Sequence, residues 1–265
     1  MTNLKGKDFD IDSIMCELQN KRKVFHSEDD LKFSLATVIQ RQYKYAEVRL
    51  ERPMNIKMVK KADNSDIPKT ISIDITVFLG DDKFFLELKY KTKKLSKDFE
   101  KKWADDIKDD VYSLKNQGAC DIGRFLFRKD IFRLEKVIEK NKGKGFFIVI
   151  TNDSGYTDNL QDNKRERIGK MYSFHNNEEL VADDPGWNYK QKDGTYVCSH
   201  KPETTDLLKK FDEKHWTCIS DRAFKLDLKN KYKVEWKPYF PEEEENKTKK
   251  EKKEAFRYCI VEVNK

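Results

Sequence analysis

Apolar residues recur at helical spacing between His26 and Tyr45, where Leu31, Leu35, Val38 and Ile39 share a face with Gln42. Ser27 precedes them as an N-cap, with Asp30 three residues later, so the pattern predicts an amphipathic helix packed on a sheet. Residues 1–25 carry few apolar positions, among them Ile11, Ile14, Met15 and Leu18, enough for one short helix. Strand-like runs follow: AEVRLE (46–51), TISIDITVFL (70–79) and KFFLELKY (83–90). The last two are joined by Gly80-Asp81-Asp82, which is turn chemistry and predicts a β-hairpin. The charged link NIKMVKKADNSDIPK between the first two either extends them or stays loose.

Further along, Phe99, Trp103, Ile107, Val111 and Leu114 predict a helix over 97–116. Ile131, Leu134, Val137 and Ile138 predict a second over 129–142, stopped by Gly143-Lys144-Gly145. GFFIVITND is then a near-continuous apolar run with a polar tip, the signature of a buried strand. From Ser154 onward the pattern weakens into aromatic patches (Trp187-Asn188-Tyr189, His215-Trp216, Tyr232, Trp236 to Tyr239) separated by polar loops. PEEEENKTKKEKKE (241–254) reads as a solvated run and FRYCIVEV (256–263) as a final strand. There is no internal repeat. The expected organisation is an N-terminal segment 1–23, an α/β core 24–153, and a C-terminal region 154–265 that completes or covers the core.

Composition narrows the class. Of 265 residues 39% are charged and 37% hydrophobic, but 12% aromatics spread along the chain argue against general disorder. No apolar run reaches the roughly 18 residues that span a bilayer, and the opening MTNLKGKDFDIDSIM lacks the apolar stretch of a signal peptide. The five cysteines are scattered, odd in number and without a CxxC pair, which fits a reducing cytoplasm and no membrane partner. A formal charge of +7 permits a polyanionic partner without demanding one.

The hairpin carries the chemistry. Taken as a regular strand, Ile71, Ile73, Ile75 and Val77 share one face, which leaves Asp74 on the other with Ser72 and Thr76. On the second strand Phe85, Glu87 and Lys89 share a face. A two-residue loop at Gly80-Asp81 makes partners sum to 161 and sets Asp74 opposite Glu87; a loop at Asp81-Asp82 sets it opposite Lys89. Two carboxylates side by side repel unless something neutralises them. A divalent cation does so: Mg²⁺, or Mn²⁺ in its place, takes one or two carboxylates plus waters and phosphate oxygens, and acidifies a bound water. Lys89 on the same face is placed to orient that water or stabilise charge growing on phosphate.

Asp74, twelve intervening residues, then Glu87-Leu88-Lys89 within apolar strands resembles the active-site motif of the PD-(D/E)XK nuclease superfamily, the fold of restriction endonucleases. The resemblance covers roughly Phe25 to Asp153, and the order of elements fits. Ile73 stands where the motif's name has Pro. The resemblance implies a restriction-endonuclease-like core, a central mixed β-sheet flanked by helices. It also implies a Mg²⁺-dependent endonuclease acting on phosphodiester bonds, of DNA foremost, in restriction, phage defence, repair or recombination, and commonly dimeric. In such nucleases a helix ahead of the sheet often supplies another acid; Glu28, three and seven residues before Leu31 and Leu35, is the matching accessory acid. Asp74 and Glu87 become the metal ligands and Lys89 the residue that assists the attacking water.

Glu-x-Lys also occurs at Glu100, Glu235, Glu245 and Glu251, so context decides. The rival VEWK, with Asp227 upstream, pairs with an even sum that needs a bulge and lacks a preceding helix with an inward acid. Arg124 and Arg128 are candidates for gripping phosphate, as are Lys91 and Lys93 in the lysine run after the hairpin. Asn152 and Asp153 sit at a strand end where open sheets place functional groups, which makes Asn152 a candidate substrate contact. Asp130 and Glu135 read as structural ion-pair partners. The four histidines show no metal-ligand spacing. A competing reading keeps the fold and makes the chain a nucleic-acid-binding or regulatory module without catalysis.

Overall fold

The structure is a computed structural model that describes residues 9–60, 64–95, 112–117, 120–158, 172–185, 187–190, 196–199, 224–240 and 255–265. Helices α1 (Ile11–Lys21) and α2 (Glu28–Gln42) lead into strands β1 (Glu47–Val59), β2 (Asp66–Leu79) and β3 (Asp82–Lys91). Helix α3 (Cys120–Asn141) and strand β4 (Lys144–Thr151) follow, then a single turn α4 (Ser154–Thr157). Short strands β5 (Glu178–Leu180), β6 (Trp187–Lys190), β7 (Tyr196–Ser199), β8 (Tyr232–Val234) and β9 (Trp236–Pro238) precede β10 (Arg257–Val263). Six strands form one mixed sheet in the order β1-β2-β3-β4-β10-β9, in which only β3 and β4 run parallel. Helix α3 lies on the crossover between them, as a parallel pair requires.

Both faces of the sheet are covered. Ile14, Met15 and Leu18 of α1 and Leu31, Leu35 and Ile39 of α2 pack with Leu86, Leu88, Ile148 and Ile150. Phe127, Ile131, Leu134 and Val137 of α3 pack with Phe85, Phe147, Val149 and Val261 on the other side. This explains why β4 is apolar along its length: it has no solvent face. β10 is seated between β4 and β9 inside the sheet.

Local signals act where expected. The Ser27 hydroxyl accepts from the Asp30 N–H at 3.1 Å, and the Asp30 carboxylate accepts from His26 N–H at 2.9 Å, closing the first turn of α2. The hairpin closes on Gly80-Asp81 with Leu79 opposite Asp82, so partners sum to 161. The charged link after the first strand extends β1 and β2 into a long antiparallel ribbon. Of the helix predicted over 97–116, residues 112–117 are irregular rather than helical, and 97–111 lie outside the described residues. Helix α3 starts nine residues ahead of the predicted 129–142, because CDIGRFLFR is buried on several sides and its polar residues conceal the period. Its end uses Lys142 (φ 57°) and Gly143 (φ 123°). A Cβ on Gly143 would lie 2.3 Å from the Lys83 carbonyl oxygen. Gly143→Ala is therefore expected to lower the urea-unfolding free energy by about 2–3 kcal/mol, from backbone strain plus that collision.

One expectation fails instructively. Ile71 and Ile73 belong to the core under α3, whereas Ile75 and Val77 belong to the core under α1 and α2, so the four do not share a face. The same swap occurs on β1, where Leu50 packs on one side and Met54 on the other. Glu51, at φ 49°, sits between them, and its left-handed backbone turns the ribbon over. Asp74 occupies the matching position on β2, between the paired residues Ile73 and Ile75.

Candidate active site

Asp74 stands where two strands part. The β2–β3 ladder stops at Ile75 opposite Leu86, and β2 departs with β1 while β3 continues along β4. The Leu88 N–H, left without a β2 carbonyl, donates to Asp74 Oδ2 at 2.7 Å. Asp74 Oδ1 lies 3.3 Å from Lys32 Nζ, which also pairs with Asp29 at 3.2 Å and with Glu51. Lys32 is 7% exposed and follows Glu28 by one helical turn on the inward face of α2.

Glu87 and Lys89 project from β3 toward α3. Glu87 is 1% exposed, and its Oε1, which accepts no hydrogen bond, lies 3.2 Å from Arg133 Nη2. Lys89 Nζ is 3.0 Å from Asp130 Oδ2, 3.4 Å from Glu28 Oε1 and donates to the Leu88 carbonyl at 2.8 Å. Glu28 reaches the cluster as its inward position predicts, and its Oε2 accepts from Tyr90 N–H at 3.0 Å. Arg133 bridges Asp130, at 3.0 Å, to the Ser72 carbonyl beyond the parted strands.

The four acids Glu28, Asp74, Glu87 and Asp130 thus face the cations Lys32, Lys89 and Arg133. Burial and the nearby Asp130 charge push the Glu87 carboxyl well above the usual range, against the pull of Arg133. Burial acts the same way on Asp130, but Lys89 and Arg133 outweigh it and hold that carboxyl below its ordinary value. Within this pair Glu87 holds a proton more tightly than Asp130 does. Burial alone would discharge Lys89; Asp130, Glu28, Asp74 and Glu87 together hold its pKa above that of a free lysine. It is an ammonium at every working pH, suited to stabilising negative charge and unsuited to acting as a base.

Other expected contacts are redirected. Arg128 is buried and donates to the Leu226, Val181, Ala182 and Asp183 carbonyls at 2.7–2.9 Å, so it staples main chain and is not available to phosphate. Arg124, also buried, donates to the Gly155 carbonyl at 3.0 Å. Helix geometry supplies the reason: two residues turn a helix by about 200°, so Arg128 and Asp130 point to opposite sides of α3. Asn152 is buried and clasps the Lys93 backbone, accepting from its N–H at 2.7 Å and donating to its carbonyl at 3.1 Å. Lys93 Nζ pairs with Asp153 at 2.5 Å, and Lys91 is half-buried at the end of β3. Glu135 accepts from Lys229 N–H and Asn230 N–H and from the Tyr232 hydroxyl, a structural role as expected. Asp130 makes the expected ion pair with Arg133 and, through Lys89, belongs to the cluster as well.

The place of the Asp130–Arg133 pair in the cluster, and Lys32 altogether, were therefore hidden in the sequence. Their signals were the i,i+3 pair on a helix crossing the sheet beside the hairpin, and a lysine one turn after Glu28. The rival VEWK site is excluded by exposure: Glu235 pairs with Lys233 at the surface and Lys237 with Asp12. Comparison with family models, with curated proteins and with solved structures finds no match for this chain.

Proposed function

We propose that this chain is a Mg²⁺-dependent nuclease on a restriction-endonuclease-like core, hydrolysing phosphodiester bonds of nucleic acid, DNA foremost. The observation that carries the reading is a buried cluster at the fork of β2 and β3 that gathers the carboxylates of Glu28, Asp74, Glu87 and Asp130, and in which burial and the Asp130 charge push the Glu87 carboxyl well above its usual range. The donor chemistry fits: Asp74 and Glu87 offer hard oxygens, and the buried Glu87 Oε1 accepts no hydrogen bond. Among the described residues no three His, Cys, Asp or Glu side chains are grouped to hold an ion, so a bound Mg²⁺ would rest on these two carboxylates and keep waters. When bound, such an ion makes a water acidic enough to attack phosphorus. The chain's own residues do the rest: Lys89 presents fixed positive charge to the phosphate, Glu28 and Asp130 hold Lys89 in place, and Asp74 and Glu87, the latter as its carboxylate, would hold the ion.

A second reading has an observation in its favour. Lys32 already neutralises Asp74, and Arg133 stands against Glu87, as in a nucleic-acid-binding module that uses the fold without catalysis. A plasmid and single-strand assay with Mg²⁺ or Mn²⁺ separates the two. Nicking by the wild type is expected, falling on the order of 10³-fold in Asp74→Asn and Glu87→Gln, which forfeit several kcal/mol of charge stabilisation. Mg²⁺ is also expected to raise the wild-type melting temperature, increasingly as pH rises and Glu87 ionises, and to leave Glu87→Gln unmoved. No nicking together with a Mg²⁺-independent melting temperature would establish the module instead. A homodimer follows from the nuclease reading if both strands are cut. A reducing, cytoplasmic setting suits the free thiols of Cys16, Cys120 and Cys259, and no helix among the described residues is long and apolar enough to cross a membrane.

A further inference from the structure

Both carboxylate oxygens of Asp74 are engaged. Oδ2 accepts from the Leu88 N–H at 2.7 Å, a main-chain donor held in place by the β3–β4 ladder. Oδ1 faces Lys32 Nζ at 3.3 Å. A divalent ion drawn to Asp74 therefore meets Lys32 at the oxygen that is not tied to main chain. Lys32 in turn is shared among three acids. It contacts Glu51 of β1 and, at 3.2 Å, Asp29 one turn back on its own helix, and the Asp74 contact is the longest of the three. The acids differ in their surroundings: Asp29 and Glu51 are exposed, whereas Asp74 is buried. Glu51 owes its place to its left-handed backbone. In a regular strand it would face away from the side on which Leu50 packs, but at φ 49° it turns toward α2 and reaches Lys32.

From this sharing we infer that Lys32 is a tethered competitor of the divalent ion at Asp74: it neutralises the carboxylate while no ion is bound and retires onto Asp29 and Glu51 when one binds. The inference rests on the proposed nuclease reading for the ion and concerns the regulation of that site, since the competitor sets the ion concentration at which it fills. A buried carboxylate without a counter-charge is costly, which gives Lys32 its role in the ion-free protein. Once a doubly charged ion supplies that counter-charge, the ammonium beside it is repelled. Retreat costs little, because two exposed acids already hold the same nitrogen. The Lys32–Asp74 pair, which by itself favours a binding module, thereby gains a role in an active site.

The test is calorimetric titration of the metal-free full chain with Mn²⁺ and with Mg²⁺, in the absence of nucleic acid. Lys32→Gln, which keeps a donor for Asp74 and removes the charge, is expected to tighten ion binding roughly 10-fold, the factor by which a competitor seated on Asp74 about nine-tenths of the time weakens it. Lys32→Met should shift affinity in the same direction, and melting curves in EDTA show which of the two is folded. Glu51→Gln is expected to weaken binding about 3-fold, because Lys32 loses a place of retreat. That loss should vanish in Lys32→Gln/Glu51→Gln, which binds as tightly as Lys32→Gln alone. Lys32→Arg, which keeps the charge, should stay near the wild-type value. Unchanged or weaker binding in folded Lys32→Gln overturns the competition. So does a Glu51→Gln loss that persists undiminished in the double variant, which would mark Glu51 as acting on the ion directly, and so does an absence of ion binding by both wild type and Lys32→Gln. Binding that appears only in Lys32→Gln supports it, Lys32 then excluding the ion from the wild type. The two readings fail separately: tighter binding by Lys32→Gln without nicking by either protein sinks catalysis alone, and nicking by a wild type whose ion affinity Lys32→Gln leaves unaltered sinks the competition alone.

Discussion

Asp130→Ala is expected to lower the unfolding free energy by about 3–5 kcal/mol, the usual cost of removing one partner from a buried ionic cluster. Asp130 is 1% exposed and contacts both Lys89 and Arg133, so its loss leaves two buried cations short of a counter-charge. Asp130→Asn should cost less, about 1–2 kcal/mol, because Glu87 no longer faces a charged neighbour and can give up its proton to serve Arg133 in its stead. Urea titrations of Asp130→Asn, Glu87→Gln and the pair would show this as non-additivity; strictly additive losses would contradict it. The pH dependence has two opposite contributions. Asp130, held below its ordinary value, contributes stability at neutral pH that is lost as pH falls through that lowered value. Glu87, held above its ordinary value, binds a proton that the unfolded chain has released. Its contribution therefore declines as pH climbs from the usual carboxylate range to the raised value. Glu87→Gln should remove this alkaline decline and leave the acid limb in place.

Arg128→Met should be comparably damaging, by about 3–5 kcal/mol, for a different reason. Four carbonyls from two separate segments, 181–183 and 226, converge on one guanidinium, and each buried acceptor left without a donor costs on the order of 1–3 kcal/mol before partial rehydration. The neighbouring Asp184 accepts from the Tyr172 hydroxyl and from Leu226 N–H, so the same two segments are tied again close by. Lysine cannot substitute, because a single ammonium lacks the planar fork that spans four acceptors. Hydrogen exchange is the discriminating measurement: protection should vanish first at residues 180–184 and 225–228 while β3 and β4 retain theirs. Uniform loss across the sheet would show instead that Arg128 supports the whole core.

Much of the site was legible because the hairpin obeys local rules. Gly80-Asp81 sets the register that points Asp74 toward Glu87, although the ladder itself stops one pair short, at Ile75 opposite Leu86, and Asp74 accepts from the Leu88 N–H instead. Glu28 was legible from its helical phase relative to Leu31 and Leu35. The reversal of faces at Asp74 was not, since it depends on the backbone of Glu51, whose residue type does not advertise a left-handed conformation. Lys32 and Arg133 were hidden for a statistical reason: with 39% of residues charged, a lysine or arginine in a helix is ordinary until the fold shows what it touches. The phosphate-gripping expectation for Arg124 and Arg128 failed because buried arginines can satisfy themselves on carbonyls, and composition does not distinguish the two uses. That a final strand over 256–263 would complete the sheet was within reach, but its place between β4 and β9 was not, since partners so distant in sequence leave no local periodicity.

The place of β10 has a consequence for biogenesis. On a ribosome, β4 emerges on the order of a hundred residues before the strand that pairs with its outer edge, and that edge belongs to the segment Gly145-Phe146-Phe147-Ile148-Val149-Ile150. Until β10 arrives, an apolar ribbon free of charge and proline is open to pairing with another nascent chain. Closure over so long a separation is also slow. Yield in expression hosts should accordingly depend more on chaperone supply and growth temperature than on the final stability of the folded protein.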